Sequence, residues 1–287
     1  MKNFILLISI IIGTVLPYGH EYVFLIRYFL MIMLFFSFLD VNVKADIIQA
    51  THFKILAAII FSSPLLFFLI KPFDIRLAEA AFITAFAPTA IAAPVIISLK
   101  KKKVEFVMFS LLLNNIVISL LLPFFLPFIV HSTKPISVGD VLFPVLITIS
   151  IPLLLAQATK RFTPKTWKTL VGWKDSTFYI LVLNIYLATS DASTYIRTEL
   201  TNNLSIIFII GITSLFLCLF FFSLGWILGG KDHAVEASQS LGQKNNAFTL
   251  WISLTFMSPL SALGPVFYVL FQNMYISWQL YKHNSSN

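Results

Sequence analysis

The chain has 287 residues, 58% hydrophobic and only 11% charged, with a formal net charge of +8. A soluble domain carries about 25% charged residues, and at a mean hydropathy of +0.89 the apolar surface is too great for one water-soluble core. The bilayer is therefore the expected solvent, with backbone polar groups satisfied inside helices, and a nucleic-acid-binding role is excluded because the basic residues fall between the apolar runs.

Residues 1–16 hold one lysine and a short apolar run, as a signal peptide would. The following Pro17-Tyr18-Gly19-His20 lacks a small-residue cleavage pattern, so the segment is taken as a first span. Spanning needs roughly 20 apolar residues. Hydropathy and helix breakers predict ten spans, near 4–17, 22–39, 54–70, 77–99, 104–130, 141–157, 176–190, 204–229, 234–256 and 259–281. The single cysteine, Cys218, lies inside the eighth, which excludes a disulfide framework and a Cys-based metal site. The five histidines lie at or beyond span ends, leaving no ligands at membrane depth. No cofactor and no metal are expected.

Lysine and arginine positions test the count. If the spans alternate, one side receives Lys2, Lys44, Lys54, Lys100–Lys103, Lys160, Arg161, Lys165, Lys168, Lys174, Lys231 and Lys282. The other receives Arg27, Lys71, Arg76, Lys134 and Arg197. This asymmetry fits the positive-inside rule and puts both termini in the cytoplasm of a multi-pass protein of the cell (inner) membrane. Ten spans divide into halves of five, residues 1–135 and 136–287, and an odd-numbered half repeated in tandem must be inverted. Inverted repeats are a common plan for secondary transporters, with discontinuous helices at matching places in each half.

The matching places are the fourth and ninth spans. The fourth contains Pro88 and Pro94, each of which removes a backbone donor and breaks a helix; a simple kinked helix is the plainer alternative. The ninth contains Ser238 to Asn246, the most polar stretch in any apolar run, with Gly242 at its centre. The expected fold is thus an all-α integral membrane protein whose fourth and ninth helices are broken and cross.

On these residues the chain resembles the bile acid:sodium symporter family of ten-span carriers. Gly242-Gln243-Lys244-Asn245-Asn246-Ala247 is similar to the family's ninth-span motif of glycine, variable residue, glutamine, asparagine and small residue. Pro88 to Val95 resembles its fourth-span motif, Asn114 to Pro123 with Pro127 its fifth span, and Leu155-Ala156-Gln157 with Arg161 the end of its sixth. The link Ser258 to Ala262 and the tenth span follow as in the family. The resemblance implies a solute carrier working by alternating access. It also locates departures: Ser240 matches the glutamate of sodium-coupled members and Lys244 the glutamine. Ala93 and Pro94 match a serine and an asparagine, and Asn115 and Ser119 a serine and a threonine. With the carboxylate gone and a cation beside its place, strict sodium coupling is not expected.

Lys244 is the most informative residue. A lysine at the centre of a span costs roughly 2.5–3.5 kcal/mol on insertion scales, and such residues usually mark a pathway. It could stand in for the missing cation and attract an anionic solute, or it could cycle protons. A structural ion pair with Glu79, Glu105 or Glu236 is the alternative. Gln243, Asn245 and Asn246 offer amides where the ninth helix unwinds, either to a solute or to freed backbone groups. Asn114 and Asn115 point about 100° apart on their helix, so one of them is expected at the cavity; Asn115 is favoured by position, with Ser119 four residues on, and Thr89 of the fourth-span stretch is a further candidate. Glu79 and Glu236, in the first turns of their spans, are expected to be capping or solvated.

The function expected is secondary transport of an organic anion or small amphipathic solute, with the solute and the lipid bilayer as partners. A related inverted-repeat permease, auxin-efflux-like or a proton-coupled antiporter, is the alternative within transport. A non-transporting membrane receptor is the alternative outside it. An enzyme is not expected, because every histidine and aspartate lies near a span end.

Overall fold

The computed structural model describes residues 2–39, 47–130, 136–173, 176–199 and 205–285. Lys44, His131, Lys134, Lys174, the boundary at 135 and the side chains of Lys2 and His283 lie outside the described residues. Within them the chain is helical, apart from one isolated β-bridge.

Helix α1 (Lys2–Val15) runs into a 3-10 turn at Pro17–Tyr22, and α2 spans Leu25–Leu39. Helix α3 (Ala50–Ile70) turns back into the short α4 (Ile75–Ala85), whose start is set by Asp74. That carboxylate accepts from the backbone N–H groups of Arg76 and Leu77 at 2.8 and 3.3 Å, satisfying two of the donors a helix N-terminus leaves unpaired. After a gap comes the seven-residue α5 (Ala93–Leu99), then α6 (Val104–Ile129) and α7 (Val138–Phe162). The basic connector contains a short exposed helix, α8 (Pro164–Gly172), anchored by Trp167 Nε1, which donates to Leu39 O at 2.9 Å. Helices α9 (Thr177–Glu199), α10 (Ser205–Gly242), α11 (Asn246–Phe256) and α12 (Pro259–Ser285) complete the chain.

Helices α3, α6, α7 and α10 are each long and apolar enough to cross a membrane. Only 28% of the most apolar window of α3 is buried, and 22% of that of α7. Large apolar side chains such as Phe61, Phe128, Phe143 and Ile227 are about three-quarters exposed. Water would penalise such surfaces, whereas hydrocarbon would not. The chain is an all-α protein with the surface of a membrane-embedded one.

The eighth and ninth segments, expected as separate helices, are two helical arms of one hairpin within the range of α10, and the ninth continues past its break into α11. Gly230 takes φ +60° and ψ −146°, and His233 is also non-helical. The two arms, 205–229 and 234–242, then pack at backbone distance: a Cβ on Gly225 would lie 2.6 Å from Ala237 O, and one on Gly229 2.7 Å from Ala234 Cα. Small residues allow this approach. Around it α12 is central, touching α4, α9, α10 and α11, while α1, α2, α7 and α9 pack on one another to one side.

Candidate functional site

Both interrupted segments lie at one point. Helix α4 ends at Ala85 and α5 begins at Ala93; α10 ends at Gly242 and α11 begins at Asn246. Between them Thr89 and Lys244 form an antiparallel bridge. Ala90 N donates to Gln243 O and Asn245 N to Pro88 O, both at 2.8 Å. Breaking a helix in an apolar medium frees backbone groups that must find partners, and here each break satisfies the other.

Thr89, wholly buried, is the hub. Its hydroxyl donates to Ser240 O at 2.6 Å and accepts from Asn114 Nδ2 at 2.8 Å. Its carbonyl accepts from Asn115 Nδ2 at 2.9 Å. Both asparagines therefore reach the crossing, whereas neither lines the cavity beside it, where one was expected. An unwound residue presents its side chain and its carbonyl in different directions, so neighbours that diverge on α6 can each meet part of it. Asn115 Oδ1 also accepts from Asn245 Nδ2 at 3.1 Å, and Asn245 Oδ1 caps α11 through Phe248 N at 3.3 Å. Ser119 is buried a turn beyond Asn115 and takes no part in these bonds.

Lys244 is 1% exposed. Its Nζ donates to Ala85 O at 3.0 Å and Ala87 O at 3.2 Å, the carbonyls where α4 ends, and stands 4.0 Å from the centre of the Phe221 ring. Its backbone N–H donates to Gln272 Oε1 at 2.7 Å. The ammonium thus faces the negative end of a helix dipole and an aromatic face. Among the described residues it has no ion pair with Glu79, Glu105 or Glu236. Glu79 and Glu236 are themselves buried rather than solvated, at 7% and 4% exposure. Glu79 accepts from Ser261 Oγ at 3.4 Å and Glu236 from Lys103 N at 3.2 Å. Packing of the hairpins, which hydropathy does not register, takes both carboxylates inside.

The breaking residues act differently from one another. Pro94 opens α5 at its first turn, where a missing N–H costs nothing. Pro88 offers its carbonyl to the bridge. Gly242 stays helical and does not terminate α10 by special backbone freedom. A Cβ there would lie 2.4 Å from the Phe222 ring, and its carbonyl accepts from Tyr268 Oη at 2.7 Å. It is a packing glycine.

Against the crossing lies a cavity of about 180 Å³. Its lining comes from the α5 segment (Ala90, Ile96), the link 243–247 and α12 (Val269, Gln272), together with Met33 of α2 and Phe178 and Leu181 of α9. Asn246 Nδ2 donates to Lys244 O at 3.0 Å and Gln243 Nε2 to Gln239 Oε1 at 2.5 Å. Asn246 Oδ1, Gln243 Oε1 and, nearby, Asn114 Oδ1 and Ser240 Oγ have no hydrogen-bond partner among the described residues. These oxygens stand unpartnered in the packed crossing, beside the Lys244 amine.

Gln272, which lines the cavity, and Phe221 and Tyr268, which pack at the crossing, escaped the sequence reading, and Asn114 was passed over in favour of Asn115. Asn114 and Gln272 carried a usable signal, since amides in apolar runs usually have a task; Phe221 is one of 30 phenylalanines and carried none. Among the described residues, no group of three or more His, Cys, Asp or Glu could hold a metal ion. No family model matches this chain, and no curated protein matches its sequence.

Proposed function

We propose that this chain is a secondary transporter on the bile acid:sodium symporter plan, with ten spans in two inverted repeats (1–135 and 136–287) and both termini cytoplasmic. Lys244 holds the place of a coupling cation. The observation that carries this reading is the Lys244 ammonium on the terminal carbonyls of α4, at a crossing of two interrupted helices beside a cavity. Half-helix ends and unwound carbonyls are how such carriers hold cations at the midplane.

The repeat has support in the hairpins. In each half a long apolar helix turns into a short one carrying a buried glutamate, Glu79 or Glu236, and that helix ends six residues later, at Ala85 or Gly242. The cavity lies where α5, the α10–α11 link and α12 meet α2 and α9. Alternating access follows if the group formed by α3–α6 and α10–α12 rocks against α1, α2, α7 and α9. At about 180 Å³ the cavity is below the roughly 300–1,000 Å³ of sites for drug-sized ligands. It suits a small amphipathic solute or organic anion, held by amides and drawn by the buried charge.

Uptake by the purified protein in liposomes, with sodium and pH varied separately, tests the proposal. Solute flux that continues when N-methylglucamine replaces sodium is expected. Strict dependence on sodium overturns the role given to Lys244, and absence of flux for every small anion tried overturns transport.

A further inference from the structure

A second cavity, of about 380 Å³, lies at the lysine-rich end of the protein, between the α5–α6 link, the kink of α10 and the end of α12. Lys100, Lys102 and Lys282 line it, together with Trp226, Trp278 and Gln279, and no carboxylate does. Lys100 follows the last residue of α5 and is only 9% exposed. Its three N–H donors meet one acceptor among the described residues, Gln279 Oε1. A buried ammonium with two unfilled donors, facing a hollow with two further lysines, is an arrangement that a ligand with several oxygen acceptors completes.

The polar groups behind Lys100 run in one direction. Gln279 Oε1 accepts from Lys100 and also from Gln239 Nε2 at 2.7 Å, and Gln239 Oε1 accepts from Gln243 Nε2 at 2.5 Å. An ammonium can only donate, so it sets each amide in turn. The chain ends at Gln243 Oε1, which has no partner among the described residues and belongs to the wall of the central cavity.

We infer that this vestibule is an anion-binding site for a carboxylate- or phosphate-headed ligand, held by Lys100 with Lys102 and Lys282 against Trp226 and Trp278. It is separate from the Lys244 crossing, and it stands whether or not the chain transports. The ligand chemistry is shared by a free anion and by the headgroup of an anionic lipid, which the lysine-rich side would meet.

Burial holds the Lys100 ammonium down to a pKa of about 8. Lys102 and Lys282 line the same cavity, and Glu105 of α6 and Asp232 and Glu236 of α10 line the adjoining groove with Lys101, Lys103 and Lys231. Anion binding should therefore weaken as pH rises through about 8, where Lys100 loses its charge.

The test uses the full chain in phosphatidylcholine nanodiscs, with tryptophan fluorescence titrated separately by inorganic phosphate and by dodecyl phosphate. A saturable change at pH 7 is expected, at least tenfold weaker in Lys100→Gln, restored toward wild type in Lys100→Arg, and unaltered in Lys165→Gln on exposed α8. Saturation by inorganic phosphate identifies a free anion as sufficient, and saturation by dodecyl phosphate alone identifies a lipid headgroup; either supports the site. No saturable change with either probe, or wild-type affinity in both Lys100→Gln and Lys282→Gln, overturns it.

Discussion

Replacing Lys244 by methionine keeps most of the side-chain volume and removes the charge. Ala85 O and Ala87 O then lose their donor in a buried place, at a cost of about 1–3 kcal/mol each. The contact with Phe221 adds about 2 kcal/mol in a desolvated setting. Against this, the variant no longer dehydrates an ammonium, which relieves several kcal/mol. The expected net loss is about 2–4 kcal/mol, and the unfolding midpoint falls by about 2–4 °C for each kcal/mol lost, as in soluble proteins of similar length. The alanine variant goes further, because it leaves room beside the same carbonyls. If the amine occupies a cation's place, sodium should bind there and stabilise Lys244→Ala by about 2 kcal/mol at thirtyfold excess over its dissociation constant. Thermal unfolding of the detergent-solubilised protein, followed by tryptophan fluorescence in sodium and in N-methylglucamine salts, reads both effects. A wild type indifferent to the salt and an alanine variant that responds to sodium are expected. Variants that unfold at the wild-type temperature in both salts would refute the reasoning.

Three further outcomes are expected. Gly242→Ala should destabilise by about 1–3 kcal/mol, because its Cβ meets the Phe222 ring; adding Phe222→Leu should recover part of that loss in a double-mutant cycle. Asn245→Ala should cost about 0.5–2 kcal/mol through loss of the α11 cap, measured by the same unfolding assay, while Asn245→Ser should retain most of the stability. Arg76 beside Asp74 holds that carboxyl below its usual range of about 3.8. Its stabilising share is thus complete above that value and is lost as pH falls through the lower folded one; the acid limb of an unfolding-midpoint profile should move up in pH in Arg76→Gln.

Hydropathy and charge alone pointed to a helical chain in a membrane, since a backbone without solvent hydrogen bonds closes them within helices or around a barrel, and the long unbroken apolar runs lack the alternation of barrel strands. They also located both interruptions, because prolines and a cluster of amides cannot sit unremarked in apolar runs. A lysine in the middle of a span, Lys244, was visible as an anomaly for the same reason.

Where that ammonium points was decided only by the tertiary structure. Its acceptors, Ala85 O and Ala87 O, lie more than 150 residues away in the chain, and nothing local marks two carbonyls as unpaired. Thr89 serves both Asn114 and Asn115 because its backbone is unwound, which defeats reasoning from helical phase. Gly242, read as a break, proved to be space for Phe222. A residue's cost in lipid adds up along one dimension, but the pairing of donors with acceptors depends on which helices meet, and that is a property of the packed bundle.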